Sequence, residues 1–135
     1  MTAEQNIATY RRLIEAVNAG NLDALDELCA ADIIDHNPIP DQAPGIDGIK
    51  QWAASVHTAF SNMQATIEDA FGAGDRVAGR VVWRGTHDGP FLGLENTGKL
   101  VQFTAMHIMR FEDGKAAEWW GAADLYGARQ QLDAH

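Results

Sequence analysis

The chain is predicted to fold as an α+β domain, with helices in its first half and antiparallel strands in its second. Apolar residues recur at helical spacing as far as Met63, and from Ala65 the period becomes that of a strand. Near the end, Asp113-Gly114 separates two apolar runs, the strongest short-range signal of a β-hairpin. At 135 residues the whole chain, 1–135, reads as a single domain with room for a core and a pocket.

Ile7, Tyr10, Leu13, Ile14 and Val17 share one helix face, and Asn18-Ala19-Gly20 supplies the stop. Asn21 can cap a second helix with Leu22, Leu25 and Leu28 inward. Ile33-Ile34-Asp35-His36 reads as a short strand ending in polar groups. The stretch Asn37 to Gly45 holds three prolines and a glycine, which forbid regular structure. A third helix should carry Ile49, Trp52, Val56, Phe60 and Met63 on its apolar face. Strands follow over 65–71 and 76–86, joined by a turn at Gly72-Ala-Gly-Asp75. A glycine-rich connection over 87–98 leads to the long hairpin of strands 101–111 and 116–125. Residues 127–135 form a tail that can turn helical around Arg129-Gln-Gln-Leu132. Three helices on one face of a strongly curved antiparallel sheet make a cone. Its pocket is lined by the inner sheet face and by helices one and three.

The net charge of -9 disfavours nucleic acid and anionic membrane as partners, since both need a basic surface. The single cysteine, Cys29, lies in an apolar helical pattern, allows no intramolecular disulfide, and is expected to be a buried thiol. The N-terminus lacks a basic and apolar signal pattern, and no apolar run reaches transmembrane length, so a cytoplasmic protein is expected.

The hairpin carries the most chemistry. With Asp113-Gly114 as a two-residue turn, Glu112 faces Lys115, and an uninterrupted register sets His107 opposite Trp120 and Phe103 opposite Asp124. Alternation then puts Phe103, His107, Trp120 and Asp124 on one face, an acid and an imidazole beside aromatic rings. A slip of one residue would part them.

Several stretches resemble the SnoaL-like polyketide cyclases, a branch of the NTF2-like cone fold. They are Asp35-His36-Asn37-Pro38 with Gly45-Ile-Asp-Gly48, Gly74-Asp75-Arg76-Val77, and Gly85-Thr86-His87-Asp88-Gly89-Pro90-Phe91-Leu92-Gly93 with Thr97-Gly98-Lys99. Near the end they are Arg110-Phe111, Gly114-Lys115, Glu118-Trp-Trp120, Asp124-Leu-Tyr-Gly127 and Gln131-Leu132. The likeness runs in order over nearly the full chain. It implies ring closure of a polyketide by intramolecular aldol condensation, with no metal and no cofactor, and an aspartate near the end of the last strand as acid/base. Asp124 matches that aspartate.

An aldol closure needs a base beside an acidic CH and a proton donor for the oxyanion. Aromatic walls would raise the pKa of Asp124 toward neutrality; the bland alternative is a carboxylate that caps the tail helix. His107 would orient Asp124 or donate to a substrate carbonyl, against a satisfied core histidine. Expected substrate contacts are His36, Trp120, Phe103, Tyr10, Phe60 and His87. His57 and His135 are expected to be non-functional. The histidines lack metal-ligand spacing, and no nucleophile motif surrounds Ser55 or Ser61. Arg80 and Arg84 are expected to face outward, which disfavours an epoxide hydrolase. The remaining alternatives are an accessory role in polyketide hydroxylation or another isomerase or hydrolase activity on the same fold, and a non-catalytic binding module. Outward residues Thr104, Met106, Ile108 and Trp119 suggest a homodimer through the outer sheet face.

Overall fold

The computed structural model describes residues 1–133; the reading of His135 lies outside them. Helix α1 spans Ala3–Ala19. Thr2 and Gln5 form a capping box at its start, and Gly20, at φ +68°, ends it in the left-handed conformation that glycine adopts without strain. Asn21 caps a 3-10 turn over 22–24, and α2 (Leu25–Leu28) is a single turn. Cys29 begins strand β1 (Cys29–Asp35) rather than continuing a helix, and it is buried. Burial pushes its thiol up to about 12, so it stays protonated and inert.

Helix α3 covers Gly45–Ala59 and is shorter than its apolar spacing predicts. Phe60 and Met63 open β2 (Phe60–Ala73) instead, where both stay buried. Apolar spacing of four and three across a helix-to-strand junction mimics one continuous face, which is why the boundary was hidden. His57 hydrogen-bonds the Val17 carbonyl at 2.6 Å and ties α3 to α1. The Asn18 side chain pairs with both backbone groups of Ala65 and ties α1 to β2.

Strands β3 (Arg76–His87), β4 (Leu100–Glu112) and β5 (Lys115–Ala123) complete a five-stranded sheet of order β1-β5-β4-β3-β2. The sheet is not wholly antiparallel: β1 joins β5 in parallel. The tail turns helical as expected, starting two residues earlier, as α4 (Leu125–Asp133). It lies beside β4 beyond the end of β5, where the Gln131 amide makes both hydrogen bonds to the backbone of Gln102 that a further strand would make. Ala128 and Leu132 plug the core from that side.

The hairpin turn follows expectation, with Glu112 opposite Lys115 and both turn residues at positive φ. The register then slips: Phe111 faces Ala116, but Arg110 faces Glu118. Ala117 is the extra residue of a β-bulge, and every later side chain of β5 changes face. His107 stands opposite Gly121 and not Trp120. Trp119 turns inward at 5% exposure, and Trp120 turns outward. Phe103 has no partner on β5, which ends at Ala123 opposite Ala105.

Candidate active site

The bulge sets a rung of three residues across the middle of the sheet: Gly79 on β3, His107 on β4 and Gly121 on β5. Glycine on both sides of the imidazole leaves two recesses on the inner face. Tyr10, from α1, fills the first; a Cβ at Gly79 would lie 2.1 Å from its hydroxyl. The indole of Trp119 leans over the second; a Cβ at Gly121 would lie 3.2 Å from its Nε1. The Tyr10 hydroxyl is 3.0 Å from His107 Nδ1, and Trp119 meets the His107 ring edge-on at 5.3 Å. Gly79→Ala should therefore unseat the phenol and destabilise the fold by about 1–3 kcal/mol, as overpacked cores do. Equilibrium denaturation measures it, and a variant as stable as the parent would mean that the phenol has room to yield.

The pair is buried, and burial sets its charge state. Desolvation lowers the His107 pKa to about 4, against a smaller upward pull from the Asp35 carboxylate, so the ring is neutral at pH 7. Desolvation raises the Tyr10 phenol above its ordinary value, so it keeps its proton. Tyr10 keeps a proton it can donate to Nδ1, and in that arrangement the ring proton sits on Nε2.

Asp35 ends β1 in register with Trp119, on the same inward parity as buried Ile33. The Asn37 backbone N–H and the Gln42 side-chain amide donate to its two oxygens at 2.9 and 3.0 Å. Asp35 was not among the expected site residues. In the structure Ile33 points in, Ile34 out and Asp35 in, a parity two adjacent isoleucines cannot announce, and the same parity sends His36 out.

The remaining expected site residues divide into three places. On the outer face, His36 stacks on Trp120 at 4.4 Å and pairs with Glu118, while Arg76 sits 5.0 Å above the same indole. Neither His36 nor Trp120 reaches His107. Inside, Phe60, His87 and Phe103 gather with Phe91 at the far end of the sheet. Asp124 does not join His107. It is exposed at the start of α4, where its carboxylate accepts the Gly127 N–H at 2.8 Å, the capping arrangement. The physical reason is the bulge together with the end of β5 before it. Among the described residues no three His, Cys, Asp or Glu side chains converge as a metal site requires.

A groove of about 610 Å³ runs along the outer face, between Phe71, Arg80, Met106, Ile108 and Trp120, and the His107–Gly121 rung borders it. Arg80 bonds Asp69 there, and Arg84 bonds Gln102, so both arginines face outward as expected.

A curved sheet with helices packed on it defines a cone-shaped α+β domain. The family model described as SnoaL-like polyketide cyclase matches residues 7–132, and the chain belongs to that family, a family of enzymes. Aklanonic acid methyl ester cyclase AcmA of Streptomyces galilaeus is 30% identical, over 95% of this chain and 90% of its own. The crystal structure of IdmH from Streptomyces antibioticus is similar at 33% identity and a TM-score of 0.85, over 96% of this chain and 99% of that one. TsrD of Streptomyces laurentii shares the fold at a TM-score of 0.91 and 24% identity, over 100% of this chain and 99% of its own.

Proposed function

We propose that the chain closes a ring in a hydrophobic polyketide ester by intramolecular aldol condensation, without a cofactor. The names of its relatives state aklanonic acid methyl ester as their substrate, and that compound is the substrate to try first. In this reading the Asp35 carboxylate removes a proton from a carbon flanked by carbonyls. The enolate carbon attacks a ketone carbon of the same molecule and forms the C–C bond. The alkoxide takes the proton back from the Asp35 carboxyl. His107 donates from Nε2 to the oxygen that gathers charge, and Tyr10 holds it in that tautomer.

The observation that carries the reading is the buried neutral His107, hydrogen-bonded to a buried phenol and acted on by one carboxylate. A donor that stays neutral strengthens its bond as negative charge develops and demands no counter-ion in the ground state. The test is cyclisation of aklanonic acid methyl ester by the protein and by His107→Phe. Retention of full turnover in the variant would end the assignment. A second reading, a binding module without turnover, draws on the packing over His107, which leaves it 6% exposed. Ligand binding with no product formed under the same conditions would select it.

The outer groove supports a homodimer in this reading. Phe71, Met106 and Ile108 are 66%, 58% and 45% exposed, an apolar patch continuous with Trp120. Trp120 takes the place the uninterrupted register gave to Trp119. Ile108→Asp is expected to leave a monomer by sedimentation at micromolar concentration. A parent protein that sediments as a monomer removes the dimer. The reading keeps the enzyme in the cytoplasm, where a lone buried thiol is at home; among the described residues no helix is long and apolar enough to cross a membrane.

A further inference from the structure

His87 closes β3 at the opposite end of the inner face from His107, and it is fully buried. Its Nδ1 lies 3.2 Å from the Thr97 backbone N–H and 2.9 Å from the Thr97 hydroxyl. A peptide N–H only donates, so Nδ1 is an acceptor and the ring proton sits on Nε2. That Nε2–H is buried and has no acceptor among the described residues. A buried donor left unpaired forfeits its hydration with no return, and native proteins rarely keep one without a use. Here one residue presets the tautomer and nothing receives the proton it exposes.

The surroundings describe what would receive it. Phe60 and Phe91 stand 5.8 and 6.2 Å from the His87 ring, and Phe91 lies nearly parallel to Phe103 at 6.3 Å, 19° between planes. Phe60 and Phe103 belong to strands. Phe91 belongs to the connection after β3. The base of that connection is fixed, with Asp88 and Gly89 both bonded to the Ala59 carbonyl. Its tip is a short turn through Leu92 and Gly93, held to α4 by an Arg129 hydrogen bond to the Leu92 carbonyl. Phe91 is only half-buried. Its backbone is paired with Leu94 in both directions, at 3.0 and 2.9 Å, so a flat ring would take its place only by turning the Phe91 side chain outward.

We infer that His87 is a specificity-determining residue: its Nε2–H binds a carbonyl oxygen of a flat, neutral ring system that replaces Phe91 against Phe60 and Phe103. This deepens the proposed function and rests on its reading of the substrate as a hydrophobic carbonyl compound. His87 selects ketone-bearing rings over hydrocarbons of the same shape, whereas the bond-forming chemistry belongs to His107 and Asp35.

The test uses two probes of one outline, 9-fluorenone and fluorene, titrated into the protein by tryptophan fluorescence. The wild-type protein should bind fluorenone about 3- to 10-fold more tightly, the value of one neutral hydrogen bond. His87→Phe should abolish that preference while leaving fluorene affinity unchanged, and Phe91→Ala should tighten both. Should His87→Phe not fold, nitrogen-15 spectra of the wild-type histidine rings decide, because the His87 Nε2–H signal must shift with fluorenone and not with fluorene. Absence of a ketone preference, its survival in His87→Phe, or a silent His87 signal would each overturn the inference. A preference that survives in His87→Phe and disappears in Tyr10→Phe would overturn it and leave the proposed function standing. Loss of cyclisation competence with the fluorenone preference intact would do the reverse.

Discussion

Asp35→Asn is expected to lower kcat for ring closure about 10²- to 10⁴-fold, the usual contribution of a positioned general base. The substitution keeps the shape of the side chain and one acceptor oxygen, so the Asn37 backbone bond survives. The Gln42 amide, however, loses the oxygen it now donates to. A loop effect can therefore accompany the loss of the base, and Gln42→Ala separates the two. It breaks the same loop contact and leaves the carboxylate in place. A base predicts that Asp35→Asn loses turnover and Gln42→Ala chiefly raises KM. Equal losses in kcat from both variants would make Asp35 a loop anchor.

Asp124→Asn is the matched control. Asparagine caps a helix as well as aspartate does, so the Gly127 bond persists and neither stability nor turnover should change. Asp124→Ala removes the cap and should cost about 1 kcal/mol of stability with turnover retained. Resemblance to the family implies the acid/base role for Asp124, whose carboxylate in the structure is exposed and accepts the Gly127 N–H. Turnover lost in Asp124→Asn and kept in Asp35→Asn would restore the residue that the resemblance points to and remove Asp35 from the mechanism.

The contrast between these two acids shows how much of the site was legible in the chain. Helical period, the Gly20 stop and the Asp113-Gly114 turn each encode local conformation, and local conformation is what α1 and the start of the hairpin required. The bulge at Ala117 encodes nothing local. Ala116 and Ala117 are both small and apolar, either one fits inward, and both are buried once the bulge forms. Two adjacent tryptophans then offer no parity either, since an indole suits the core and the stacked outer face equally. One residue of slip therefore moved Trp120 out, Trp119 in and Asp124 away from His107 while the order of the strands was unchanged. Asp35 was hidden in the same way: Ile33 and Ile34 are the same residue type, and only the structure shows the first turned in and the second out. The Tyr10–His107 bond joins residues 97 apart in the chain. No pattern within one element reports such a pair, although both residues were expected on the inner wall separately.

The buried imidazole also predicts how stability responds to acid. His107 titrates at about 4 in the folded protein and near 6.5 when exposed by unfolding. Between those values the unfolded chain binds the proton and the folded chain does not, so stability rises with pH across the window. The contribution is complete above pH 6.5 and is lost as pH falls through about 4, amounting to about 3 kcal/mol over the full span. Other groups also titrate in acid: Ser61 holds Asp88 low, and Arg110 with His36 holds Glu118 low, so both carboxylates add losses at the lower end of the window. The difference between the parent and His107→Phe isolates the imidazole, because those carboxylates are common to both. Denaturation midpoints from pH 7 to pH 4.5 should fall more steeply for the parent, and the two curves should converge at neutral pH to a constant offset set by the lost Tyr10 bond. Parallel curves over that range would mean that His107 takes up its proton in the folded protein as easily as in water. The neutral Nε2 donor on which the proposed chemistry relies would then be absent near pH 6.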